Sequence, residues 1–316
     1  MVRRKSKQVS VGDIKIGGNA PISVQSMLNT KTVDIEGSIK QIEQLRSVGC
    51  DLIRLAVPDE ASCAAFGEIV RRTGLPLIAD VHYSYKLAHL ALDNGAKKLR
   101  INPGNMLDFS EIKPLANRLK DMNIPVRVGV NGGSLDPKFK GENPAVALVE
   151  SALECANVFE SQGMSDIVIA IKASDTAVNI DANRILSLAC DYPIHIGVTE
   201  AGTLRTGLIK SAIGIGTLLR EGIGDTIRVS LSDDPIEEIP VCKEILKNCN
   251  LYNTSPKLVA CPTCGRIQYD MIPIAKEIEK FLQTLKSDIT VAIMGCAVNG
   301  PGEAREADIG IAGGKK

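Results

Sequence analysis

PLIADVHYSYKLAHLALDNGAKKLRIN, residues Pro76 to Asn102, contains one full period of the pattern that organises this chain. Pro76-to-Val81 is a short, mostly apolar run, Lys98-to-Asn102 is a second, and a longer amphipathic stretch separates them, which reads as strand, helix, strand. Working outward, the same unit recurs. Pro21-to-Met27 and Asp51-to-Val57 precede it, and Pro125-to-Val130, Asp166-to-Lys172, Pro193-to-Val198 and Thr226-to-Leu231 follow. A helix-like segment such as Ser38-to-Val48 or Pro144-to-Gln162 comes after each run. Eight β–α repeats within roughly 230 residues point to an α/β fold, a closed TIM-type (β/α)8 barrel. A doubly wound open sheet is the runner-up, but it usually has fewer strands, and no Gly-x-Gly-x-x-Gly fingerprint follows any run.

Ahead of the repeats, Val9-to-Val11 and Asp13-to-Ile16 alternate around Gly12 and read as a β-hairpin placed to close the bottom of the barrel. Behind them, the polar stretch from Lys247 to Asn253 runs into Ser255-Pro256, taken as a linker. This divides the chain into a barrel over residues 1–254 and a small α/β domain over 255–316. The small domain reads as a strand at Leu258-to-Ala260, a Cys-Pro-Thr-Cys turn, a helix from Ile272 to Lys286, a strand from Thr290 to Met294, a cysteine-bearing loop and a last strand at Asp308-to-Ile311. At about 60 residues its hydrophobic core is marginal, so a metal centre there would serve as a staple as well as a reactive group.

Composition narrows the function classes. Lys plus Arg and Asp plus Glu are 37 each, there is no tryptophan, and aromatic residues make up 3% of the 316, which argues against a general nucleic-acid surface. Met1-Val2-Arg3-Arg4-Lys5 is basic but no apolar segment follows it, and no stretch is long enough to span a bilayer. Nine cysteines are an odd number, and Cys50, Cys63, Cys155, Cys190, Cys242 and Cys249 fall in helix-like or apolar segments, so reduced thiols in the cytoplasm are the expectation.

The other three cysteines stand apart. Cys261 and Cys264 form a Cys-x-x-Cys turn, and Cys296 lies in Cys-Ala-Val-Asn-Gly-Pro-Gly-Glu, which ends at Glu303. Three thiolates and one carboxylate form an incomplete soft ligand set, suited to an iron–sulfur cluster with one open corner. A structural zinc site normally closes with four Cys or His ligands, and His82, His89 and His195 all lie far upstream. A redox dithiol would leave Cys296 without a role. Zinc and inert or dithiol cysteines remain open as alternatives; a radical-SAM site does not, since no Cys-x-x-x-Cys-x-x-Cys spacing occurs.

Polar residues also recur at the period of the strands. Side chains two apart share a face of a strand, and Asp80 with His82, Arg100 with Asn102, Lys172 with Ser174, and Arg228 with Ser230 occupy such positions near strand ends. Arg54, Arg127, Asn131 and Glu200 sit at comparable places, at the C-terminal mouth where barrels of this type bind substrates. Any one of them could belong to a buried ion pair. As a set, Arg54, Arg100, Arg127, Lys172 and Arg228 exceed the acids Asp80 and Glu200 by three, and an external anion is the economical partner, phosphate oxygens above all. His82 is a packed core residue or, beside Asp80, an acid–base group. The glycine-bearing segments from Arg100 to Asn105 and Gly129 to Ser134 could offer backbone N–H groups to phosphate. Together these readings describe reductive chemistry on a phosphorylated metabolite. The other classes to weigh are a non-catalytic barrel with a zinc module for partner contacts, and a pterin-binding barrel transferase, which leaves the three cysteines unexplained.

Val24-Gln25-Ser26-Met27, Arg54-Leu55-Ala56-Val57-Pro58, Ala79-Asp80-Val81-His82, Arg100-Ile101-Asn102-Pro103-Gly104-Asn105, Gly197-Val198-Thr199-Glu200-Ala201-Gly202, Arg228-Val229-Ser230-Leu231, Ala260-to-Arg266 and Gly295-to-Glu303 occur in this order along the chain. In this it resembles the bacterial 4-hydroxy-3-methylbut-2-enyl diphosphate synthase family, essentially end to end. The resemblance implies two-electron ring opening and dehydration of 2-C-methyl-D-erythritol 2,4-cyclodiphosphate, in the methylerythritol phosphate route to isoprenoids. It implies a [4Fe–4S] cluster on Cys261, Cys264 and Cys296 with Glu303 as an exchangeable fourth ligand, and flavodoxin or ferredoxin as electron donor. Arg54, Arg100, Arg127 and Lys172 would hold the diphosphate, with Asn102, Asn131 and Ser230 adding hydrogen bonds. Asp80, His82 and Glu200 would line the reacting face, Glu200 supplying a proton to the leaving hydroxyl. It further implies a homodimer in which the cluster domain of one subunit caps the barrel of the other, with a hinge near Pro256. Members of that family continue for several tens of residues beyond Gly310-to-Gly314, whereas this chain stops at Lys316. The lack of a large insertion between the two domains matches the shorter bacterial type.

Overall fold

The computed structural model describes residues 2–82, 84–102, 109–135, 137–139, 141–252, 256–285, 287–298, 302 and 304–313. It separates into two compact units, Met1–Cys249 and Asn250–Lys316.

In the first unit, strands β3 (Ser23–Met27), β4 (Leu52–Ala56), β5 (Ile78–Asp80), β6 (Lys98–Ile101), β7 (Val126–Asn131), β8 (Ile167–Lys172), β9 (His195–Ile196) and β10 (Thr226–Ile227) form one parallel sheet in the order β8-β7-β6-β5-β4-β3-β10-β9. The edges meet, for Ile169 bridges in parallel to Ile194 and its N–H donates to the Pro193 carbonyl at 3.0 Å. The sheet is therefore the closed barrel that the eight repeats predict. Helices α1 (Ile35–Ser47), α2 (Glu60–Thr73), α3 (Tyr85–Asp93), α4 (Ile112–Met122), α5 (Pro144–Ser161), α6 (Thr176–Ala189), α7 (Leu204–Arg220) and α8 (Pro235–Asn248) alternate with the strands. Their starts are written locally. Asp59, Asp175 and Asp234 each accept a backbone N–H of the first turn, at Ser62, Ala177 and Ile236, and Pro235 follows the last of these caps. Two strands fall furthest short of their sequence runs. β9 and β10 keep regular pairing for only two residues each, and the chain then departs toward Glu200 and Ser230.

The hairpin β1 (Gln8–Val11) and β2 (Ile14–Gly17) inserts Val9, Val11 and Ile16 against Leu52, Ile78 and Val168, which stand at or near the N-terminal ends of their strands. That apolar cluster plugs the bottom of the barrel, and the polar residues further along the same strands face the opposite mouth. Among the described residues no helix is long and apolar enough to cross a membrane.

The second unit has a three-stranded parallel sheet, β11 (Lys257–Ala260), β12 (Thr290–Met294) and β13 (Ile309–Ala312) in that order, and helix α9 (Met271–Leu282). Cys261 N–H donates to the Ile293 carbonyl at 2.9 Å, extending the pairing of β11 with β12 to the first cysteine.

Candidate active site

The centre of the barrel mouth is Asp80, the last residue of β5 and 2% exposed. Its Oδ1 accepts from Arg100 Nη1 at 3.1 Å and lies 3.2 Å from His82 Nε2, and its Oδ2 is 3.5 Å from Arg54 Nε. Arg100 Nη1 also lies 2.8 Å from His82 Nε2. Burial alone would raise the Asp80 carboxyl, but Arg54, Arg100 and the His82 hydrogen bond hold it well below the usual carboxylate range. It is a fixed anion, not a proton donor.

The cations outnumber it. Arg54, Arg100, Arg127 and Lys172 are all buried on the inner face of their strands. Burial, partly offset by Asp80, brings Arg54 down to about 10. Burial and the neighbouring guanidiniums hold Arg127 and Lys172 well below their ordinary values. Arg127 Nε and Nη1 and Arg100 Nε have no hydrogen-bond partner among the described residues. Asn102 directly follows β6, Asn131 ends β7 opposite Lys172, and Ser230 lies half-buried three residues after β10, so the three amide and hydroxyl groups expected at the mouth stand at strand ends. Glu200 is exposed in the loop between β9 and α7, with φ +51° in the left-handed region, a conformation that strains a non-glycine residue.

Glu200 does not neutralise the interior cations, because it is on the exposed loop. The second acid buried beside these cations is Glu238 of α8, 1% exposed, which accepts from Arg228 Nε at 3.1 Å and Nη2 at 3.0 Å, from Ser26 Oγ at 2.7 Å and from the Leu231 N–H at 3.2 Å. The strand pattern also passes over Lys98 and His195, both fully buried, whose side-chain nitrogens have no partner among the described residues. Burial, then Arg127 and Arg54, hold Lys98 far below its ordinary value, and burial, then Lys172 and Arg127, do the same to His195. Of the two glycine segments, Gly129 belongs to β7 and Gly132–Ser134 form a 3-10 turn, whereas residues 103–108 lie outside the described residues.

In the second unit Cys261 follows β11 and Cys296 follows β12, so two thiols stand at neighbouring strand ends. Cys296 is buried and Cys264 exposed. Glu303 lies outside the described residues, and among those described no three His, Cys, Asp or Glu side chains converge on one metal position. The donor chemistry nonetheless fits an iron–sulfur cluster: thiolates from two loops on one sheet edge form a soft set with too few ligands to close a zinc site.

Comparison with known proteins decides the family. The model of the GcpE TIM-barrel domain matches residues 6–243, and that of the GcpE protein C-terminal domain matches residues 257–316. The chain belongs to the GcpE family. Curated GcpE relatives include "4-hydroxy-3-methylbut-2-en-1-yl diphosphate synthase (flavodoxin)" of Clostridium perfringens, 52% identical over 100% of this chain and 91% of that protein. The protein of the same name from Lawsonia intracellularis is 48% identical over 99% of this chain and 88% of its own length. Among solved structures, dihydropteroate synthase from Stenotrophomonas maltophilia superposes with a TM-score of 0.59 at 14% identity, covering 78% of this chain and 97% of that one. That likeness shows only that the GcpE barrel shares a fold with it.

Proposed function

We infer that this protein is an iron–sulfur oxidoreductase, a flavodoxin-dependent 4-hydroxy-3-methylbut-2-en-1-yl diphosphate synthase. It opens 2-C-methyl-D-erythritol 2,4-cyclodiphosphate with two electrons and releases water, giving the linear hydroxymethylbutenyl diphosphate for isoprenoid precursors. The observation that carries this reading is the surplus of buried cations at one mouth of the barrel, in a chain whose second unit brings thiols to neighbouring strand ends.

Arg54, Arg100, Arg127 and Lys172 hold the diphosphate, and its charge supplies the counter-ion that Asp80 and Glu238 alone do not. Because these cations are already desolvated and in place, they can follow phosphate charge as the ring opens, with little reorganisation. Asn102, Asn131 and Ser230 add hydrogen bonds that fix the orientation. Asp80 keeps Arg100 and His82 pointed at the reacting face, and Glu200 delivers the proton that leaves with the hydroxyl as water. Cys261, Cys264 and Cys296 would hold a [4Fe–4S] cluster, with Glu303 as a weaker and exchangeable fourth ligand, and the bound cluster would supply the electrons received from flavodoxin. Residues 1–254 form the substrate-binding domain and 255–316 the cluster domain. The working form is a cytoplasmic homodimer in which the cluster domain of one subunit caps the barrel of the other.

Iron, acid-labile sulfide and zinc counted on protein purified without oxygen test the reading. About four iron and four sulfide per chain are expected for a cubane cluster, together with turnover of the cyclic diphosphate. Stoichiometric zinc with no sulfide would overturn it.

A further inference from the structure

We propose that Gly129 is a positioning residue for the diphosphate, its missing side chain allowing the Arg100 and Arg127 guanidinium groups to lie together against the β7 backbone. The proposal rests on the reading of the mouth as a diphosphate site. Gly129 lies two residues from Arg127 and two from Asn131, so all three share the inner face of β7. Its φ is outside the left-handed region, so the backbone does not call for glycine, and glycine within a strand weakens it. A close approach supplies the reason. A Cβ at this position would stand 3.0 Å from Arg100 Nε, 3.3 Å from Arg127 Nη2 and 3.5 Å from Arg127 Nε, and these are its three nearest neighbours.

Neither guanidinium can step aside easily. Arg100 is bound to Asp80 at 3.1 Å and touches His82, and Arg127 is buried with Arg54 and Arg100 in its field. Two like charges held on one glycine are unfavourable in isolation and favourable around a shared anion, to which their planar donors can turn together. Gly197 repeats the device for another of the cations. Its Cβ would lie 2.7 Å from Lys172 Nζ, though also 2.5 Å from the Arg228 carbonyl oxygen, so a substitution there would strain the barrel backbone as well. Gly129 is the position where only the cations stand in the way.

The test is calorimetric binding of inorganic pyrophosphate to the full-length protein carrying Gly129→Ala, Arg127→Ala or both. Arg127→Ala is expected to weaken binding at least tenfold, and Gly129→Ala about tenfold with thermal midpoint and iron content unchanged. In the double variant Gly129→Ala should cost much less than it does alone, because the pair it positions is already broken. Wild-type affinity in Gly129→Ala, full additivity in the double variant, or a loss that comes with a lower thermal midpoint or failure to fold would each overturn the assignment. Undiminished pyrophosphate affinity in Arg127→Ala would overturn the diphosphate reading itself, and Gly129's role with it.

Discussion

In the barrel, strands β4, β6, β7 and β8 bury nearly every residue, whereas in the C-terminal unit only β12 is buried, β13 is exposed throughout and β11 is mostly so. The barrel closes its own sheet and plugs its own base, and this surplus of apolar packing lets it tolerate unpaired charge at the mouth. The smaller unit has little such packing; its buried residues, among those described, are Pro256, Met271, Leu282 and Val291 to Cys296. A site can thus be prepared in advance where the fold is over-determined, but must help make the fold where it is not.

The largest effect that would break this contrast is expected at Cys296. Cys296→Ala should lower turnover by about a thousandfold or more, equivalent to about 4 kcal/mol of transition-state stabilisation. Limited proteolysis should then cut beyond residue 249 and leave the barrel fragment whole; equal loss of both units would mean that the barrel also depends on Cys296. Next is Glu238→Ala, which strands Arg228 in the interior and should cost about 3–5 kcal/mol in urea unfolding of the barrel, with iron content unaffected. The smallest is the pH response of Asp80. Its folded pKa is depressed, so its contribution is complete above the unfolded value near 3.9 and is lost as pH falls below that. Between pH 6 and pH 3 the stability gap between wild type and Asp80→Asn should narrow by about 1 kcal/mol, and a constant gap would remove Asp80 as the paired anion.

The barrel was legible because period and count are properties of the chain: eight runs, each followed by a helix, leave few topologies. Inward-facing polar residues at strand ends were legible for the same reason, as with Arg100 and Asn102. Lys98 occupies that same face one step earlier, but a lysine opening a strand looks like a surface anchor, and only burial separates the two. His195 follows suit, alternating with the apolar Ile194 and Ile196. Glu238 was hidden by its neighbour. Glu237 and Glu238 are identical in composition, and only helical phase, which sets 238 on the buried stripe with Cys242 and Ile245, distinguishes the exposed residue from the buried one. That Cys261 and Cys296 come after neighbouring strands depends on strand order in a small sheet, which spacing along the chain does not encode.

The hairpin that seals the base has a consequence for traffic. With Val9, Val11 and Ile16 packed across the far end, the described residues leave the base shut, and whatever binds at the mouth leaves by the mouth. Product still inside blocks the next molecule from entering, so arrival and departure alternate and cannot overlap.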